Sequence, residues 1–170
     1  MSADDSGEPA ADSRVADSRS ADSRAADSPA ELKARALRYL VRREHSRAEL
    51  ARKLAPHAES PQALEALLDS LLAKKQQSDE RFAEERARSL SRKYGPAKIR
   101  QDLKARGISD ELVDRLSDEG ELERAKAILQ RKYKEPATTR EESAKRARFL
   151  QGRGFSYDVI IHALSSPDSE

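Results

Sequence analysis

Catalysis needs side chains that converge in a water-excluded pocket, and this 170-residue chain is poor in them. Its three histidines, His45, His57 and His162, stand far apart at turns or loop ends, and it has no cysteine. Disulfides, thiol chemistry and Cys-based zinc or iron–sulfur sites are thereby excluded. His45 precedes a serine that reads as a helix cap, which gives it a local turn role. The carboxylate pairs Glu84-Glu85 and Glu141-Glu142 read as solvated helix faces or as partners of a helix N-terminus. No catalytic residue, cofactor site or metal ligand is expected, and the chain is not read as an enzyme.

The basic side chains are the better candidates. Arg35, Arg38, Arg42 and Arg43 fall on one helix-forming stretch, Arg92 and Lys93 on a second, and Arg131 and Lys132 on a third. A further set, Lys98, Arg100, Lys104, Lys145, Arg148 and Arg153, falls on the stretches that follow. Aligned into a stripe, these cations suit an acidic partner or a phosphate backbone. The other reading is a solvated surface, because Lys and Arg form helices well and pair with neighbouring acids. Tyr94 and Tyr133 each follow a basic pair, as in proteins that stack bases, but their place at a helix end beside a turn points to packing.

The elements that carry these residues are legible between Asp79 and Leu116. Phe82, Ala83, Ala87, Leu90 and Tyr94 recur at helical spacing, with Arg81, Arg88 and Arg92 on another sector of the wheel. Gly95-Pro96 ends that helix and starts the next, since proline suits a first turn and its predecessor avoids helical angles. Ile99 and Leu103 line the second helix, and Gly107 falls where a left-handed cap is expected. Ser109 then caps a third, with Asp110 and Glu111 in its first turn and Leu112, Val113 and Leu116 on its buried side.

This three-helix unit recurs. Leu103 to Ser109 (LKARGIS) becomes Leu150 to Ser156 (LQGRGFS) 47 residues on, and Arg92-Lys93-Tyr94 becomes Arg131-Lys132-Tyr133. Arg35-Ala36 and Arg42-Arg43 mark a copy upstream. The first copy, residues 31–75, opens on Leu32, Ala36, Leu37 and Leu40. Ser46-Arg47-Ala48-Glu49 reads as a capping box with reciprocal side-chain to backbone bonds, ahead of Leu50 and Leu54. Leu64, Leu67, Leu68, Leu71 and Leu72 then make the most apolar helix. The second copy covers 78–118. The third, 121–165, runs through Leu122, Ala125, Ile128 and Leu129, restarts at the capping box Thr139 to Glu142, and closes on Val159, Ile160, Ala163 and Leu164 before a polar tail, 166–170. An all-α fold of nine helices and no strands is predicted.

Residues 1–30 repeat the pentad around Ala-Asp-Ser-Arg; a five-residue period keeps no face on helix or strand, so this segment is expected to be disordered. It holds seven acids and three arginines, net −4, against +6 for residues 31–170. With 38% charged residues and only seven aromatics the cores are thin, and a large concave active site is not expected. There is neither a signal-peptide pattern nor an apolar run of membrane-spanning length, so a cytoplasmic protein without a membrane partner is expected.

Four stretches together resemble the RecX regulatory proteins of bacteria: Arg43 to Leu50 (REHSRAEL), Ser78 to Ala83 (SDERFA), Tyr94-Gly95-Pro96, and Arg148 to Ser156 (RFLQGRGFS). Each is only a cap, a turn or a helix start; their order and spacing are distinctive. The resemblance implies an elongated, curved array of three tandem three-helix repeats. It implies a protein that binds the RecA recombinase filament and restrains its ATPase, strand-exchange and coprotease activities, so modulating recombination, DNA repair and the SOS response; a monomer is expected. At the join of copies one and two the family tends to have a glycine, where this chain reads Lys75-Gln76-Gln77. The alternative is a direct binder of single- or double-stranded DNA, with Lys98, Arg100 and Lys104 of a helix-turn-helix unit entering a major groove.

Overall fold

A computed structural model describes residues 25–116 and 118–165. Among these residues the chain is all-α, with nine α-helices and no strand. Repeat 1 holds α1 (Pro29–Arg42), α2 (Arg47–Leu54), a 3-10 turn (Ala55–His57) and α3 (Pro61–Ala73). Repeat 2 holds α4 (Asp79–Ser91), α5 (Pro96–Ala105) and the short α6 (Asp110–Asp114). Repeat 3 holds α7 (Glu121–Lys132), α8 (Arg140–Gly152) and α9 (Tyr157–Leu164).

Each repeat closes its own core. Leu32, Ala36, Leu50, Leu54, Leu64, Leu68 and Leu71 are buried together in the first. Phe82, Ala83, Ile99, Leu103, Ile108 and Val113 fill the second, and Ala125, Ile128, Leu129, Leu150, Phe155 and Ile160 the third. The apolar face of α3 is narrower than its leucine content suggests, since Leu72 is 52% exposed.

Helix ends follow the sequence with two corrections. α1 starts inside the acidic segment: Pro29 occupies its first turn, Ser28 and Glu31 form a full capping box, and Asp27 pairs with Arg35 at 2.7 Å. The first 24 residues, where the disordered pentads were expected, lie outside the described residues. The second correction concerns Ser46. Its hydroxyl accepts the Glu49 amide at 3.1 Å, but the Glu49 carboxylate does not return to the Ser46 backbone, so the expected box is half formed. At Thr139 and Glu142 the box is complete.

Three helices end in the same six-residue motif, in which a left-handed residue lets two amides return to the last carbonyls. After α5 the Gly107 and Ile108 amides donate to Lys104 and Leu103, and after α8 the Gly154 and Phe155 amides donate to Gln151 and Leu150. The glycine φ angles are +80° and +84°. After α3 the left-handed residue is Lys75, φ +55°, and the Lys75 and Gln76 amides donate to Leu72 and Leu71. The position where the resemblance leads one to expect glycine thus carries a side chain.

Candidate partner-binding surface

The repeats meet end to end at two joins, and both put the start of one repeat's second helix against the end of the next repeat's second helix. At join 1–2 the Ser46 hydroxyl donates to the Arg106 carbonyl at 2.8 Å, and Gly107 packs on Ala48 so closely that a Cβ would lie 2.5 Å from the alanine's. At join 2–3 the Gly95 amide donates to the Arg153 carbonyl at 2.9 Å and the Ala97 amide to Gly154 at 3.1 Å. There a Cβ on Gly95 would stand 2.5 Å from the Gly154 oxygen, so main chain meets main chain.

Join 1–2 is ionic. Glu49, 4% exposed, takes Arg43 on one carboxylate oxygen at 2.9 Å and Arg106 on the other at 2.5 Å. Arg106 passes to Asp102 at 2.9 Å, which also holds Arg86 at 2.8 Å. Burial alone would raise the Glu49 carboxyl; hydrogen bonds from Arg43 and Arg106 outweigh it and hold it below the usual range. The Arg86 hydrogen bond likewise lowers Asp102 against its partial burial, with Arg106 adding to it. The buried Gln77 amide donates to the His45 carbonyl at 3.2 Å and to Asp79 at 2.8 Å, and Asp79 also accepts the Arg47 amide at 2.7 Å. His45, bonded through Nδ1 to the Arg43 carbonyl and tilted against Tyr39, has its pKa lowered by burial. Its place is structural, as the turn reading expected.

Join 2–3 opens a groove lined by Arg92, Lys93, Tyr94, Ile128, Arg131, Lys132, Phe149 and Arg153. Among the described residues five cations line it and no carboxylate does. Arg131 donates to the Arg92 carbonyl and Arg153 to the Lys93 carbonyl, both at 2.7 Å, so two guanidiniums are held by neutral oxygens with their charge uncompensated. Lys132 sits 4.0 Å and Arg153 4.6 Å from the Phe149 ring centre, and Arg153 also lies 5.8 Å from that of Tyr94. Tyr133 packs edge-on against Phe149. The aromatics therefore pack and hold cations in place.

The remaining candidates are dispersed. Arg42 is exposed at the end of α1, while Arg43 is committed to Glu49. Arg100 pairs with Asp118, and Lys104 with Asp110 at 2.7 Å, which raises the lysine's pKa through that hydrogen bond. Lys98, Lys145 and Arg148 are exposed and carry no ion pair among the described residues. Arg106, the member that ties the ionic chain across join 1–2, was not on the list. Its signal was present, because Arg106-Gly107 is the repeat equivalent of Arg153-Gly154.

Among the described residues no group of three or more histidines, aspartates and glutamates could hold a metal, and no helix is long and apolar enough to cross a membrane. Tandem three-helix repeats with a cationic groove at one join define the class as a helical-repeat protein. Comparison with known proteins narrows this. The first, second and third three-helix domains of RecX match residues 33–71, 78–115 and 119–164 in order. The regulatory protein RecX of Leptothrix cholodnii is 44% identical over 142 residues, 82% of this chain and 90% of that relative. That of Herbaspirillum seropedicae is 45% identical over 138 residues, 79% and 90% of the two. The crystal structure of RecX from Lactobacillus salivarius shares the fold, with a TM-score of 0.70 over 80% of this chain and 94% of that one at 23% identity. The chain belongs to the RecX family of regulatory proteins.

Proposed function

We propose that this protein binds the RecA recombinase filament in the cytoplasm, as a monomer, and inhibits its ATPase, strand-exchange and coprotease activities, thereby modulating recombination, DNA repair and the SOS response. Membership of the family through all three repeats is the observation that carries this reading. The groove at join 2–3, built from Arg92, Lys93, Arg131, Lys132 and Arg153, supplies the contact surface. Five cations without a carboxylate repel one another, and an acidic face of the filament or the phosphates of its DNA relieves that repulsion. The other candidates, Arg42, Arg43, Lys98, Arg100, Lys104, Lys145 and Arg148, contribute at the periphery.

The same groove supports a second reading, direct DNA binding through phosphates. Insertion of α5 into a major groove fits less well, because Arg100 and Lys104 are tied to acids and the first turn of α5 is covered by Arg153 and Gly154. Titrating the protein into RecA on single-stranded DNA at substoichiometric ratios separates the two. Inhibited ATP hydrolysis is expected. No effect at any ratio, together with binding to naked DNA, would leave the second reading.

A further inference from the structure

The two joins are built from different materials, and the difference has a mechanical meaning. Among the described residues four polar or charged residues are buried, His45, Ser46, Glu49 and Gln77, and all four lie at join 1–2. No core cluster crosses either join, so the contrast lies in what bridges them. What crosses join 1–2 among the described residues is the Glu49–Arg106 pair, the Ser46–Arg106 bond, the Gln77 bridge, the Arg47 amide on Asp79 and the Arg81–Glu44 pair at 2.7 Å, together with the Ala48–Gly107 contact. The chain passes between the repeats through Lys74 to Ser78, which includes the left-handed Lys75.

Polar contacts of this kind behave cooperatively. In a low-dielectric site a fully paired network holds firmly, and a partly paired one becomes a liability. Once the join opens, water replaces each lost hydrogen bond, and no core cluster has to be broken to open it. Join 2–3 lacks that freedom. Its backbones interlock at Gly95 and Gly154, and Arg153 is clamped over Tyr94 and Phe149.

We propose that join 1–2 is a polar hinge on which repeat 1 swings as a unit, latched by Glu49 between Arg43 and Arg106, while repeats 2 and 3 move as one body. Glu49 is the latch because, among the described residues, its carboxylate is the one that pairs with arginines of both repeats. An anionic partner that drew Arg106 or Arg43 away would release it, which would let repeat 1 adjust its angle over a partner bound at join 2–3. The hinge rests on this geometry alone and is tested without RecA.

The chain has no cysteine, so cysteines introduced in pairs are unique labelling sites. Spin labels at the exposed positions Gln62 and Gln101 report across join 1–2, and labels at Gln101 and the exposed Gln130 across join 2–3. In the parent both pairs should give one narrow distance distribution. Glu49→Gln, and independently Arg106→Gln from the other side, should add a broad second population to the 62–101 pair and leave the 101–130 pair narrow, with helix content by circular dichroism retained. If both variants keep the 62–101 distribution of the parent, or both pairs broaden alike, the hinge is overturned.

Discussion

Joins 1–2 and 2–3 occupy equivalent places in the repeat, yet one presents balanced charge and the other does not. The cleft beside join 1–2 is lined by Arg43, Arg86 and Arg106 with Glu44 and Glu85, and two of its arginines reach the buried Glu49. At join 2–3 the corresponding cleft holds five cations, and among the described residues the side chains of Arg131, Lys132 and Arg153 find carbonyls and rings rather than carboxylates. One set of arginines is spent on cohesion, and the other has no carboxylate partner among the described residues. A repeat thus conserves its geometry while reassigning the charges that geometry brings together.

The comparison can be broken most severely at its backbone. Gly154→Ala should destabilise by at least the ~1–2 kcal/mol that a left-handed angle costs a residue with a Cβ. Further loss should come from the new atom 2.7 Å from the Lys98 amide nitrogen. Urea unfolding should show the loss, and parent-like stability would remove the main-chain account of join 2–3.

Next in size is Glu49→Ala, which strands Arg43 and Arg106. The two arginine side chains are 47% and 30% exposed and can rehydrate, so about 1–3 kcal/mol is expected rather than the full penalty of a deeply buried break. Acid should probe the same join. His45, faced by Tyr39, Arg43, Glu49 and Lys53, has a lowered pKa, so its contribution is complete above the ordinary 6.5 and falls away as pH drops through the folded value. Glu49 and Asp102 are also lowered, so theirs is present above the ordinary 4.5 and 3.8 and is lost at still lower pH. Thermal midpoints measured from pH 8 to pH 3 should therefore fall in two stages, and Glu49→Ala should flatten the second.

A smaller effect on stability, but the sharpest contrast in binding, comes from charge reversal. The double variant Arg92→Glu with Lys93→Glu should fold normally, because both side chains are exposed and unpaired, and should inhibit the filament less at low salt than the parent. The gap should narrow as salt rises. Arg42→Glu with Arg43→Glu should instead lower stability, through Glu49. Smallest of all, Lys75→Gly should stabilise by about 1 kcal/mol by relieving the left-handed lysine.

Helix number, the order of the repeats and the glycine caps were readable because 3.6-residue periodicity and left-handed turns are local properties. What was missed depended on distance. Glu49 obeyed the capping signature, but Arg106 stands 57 residues away and outcompetes a backbone amide for its carboxylate. Arg100 and Lys104 read as free cations because Asp118 and Asp110 reach them only after α5 and α6 are packed. The start of α1 was lost for another reason. The pentad composition obscured a plain Ser28-Pro29 start with Glu31 in place. Of the basic residues, the sequence could nominate Arg92, Lys93, Arg131, Lys132 and Arg153 but could not place them in one groove.

The three separate cores also bear on how the chain is made. Each draws its buried side chains from one continuous stretch, Leu32 to Leu71, Phe82 to Val113 and Ala125 to Ile160. Closing such a core requires only short loops, so nothing in repeat 1 waits for residues the ribosome has yet to add. At about 5–20 residues per second the first bundle is complete seconds before the last is synthesised. Assembly from the N-terminus then reduces to docking finished units, and join 1–2, made of polar contacts that water tolerates, stays soluble during the interval before its partner repeat emerges.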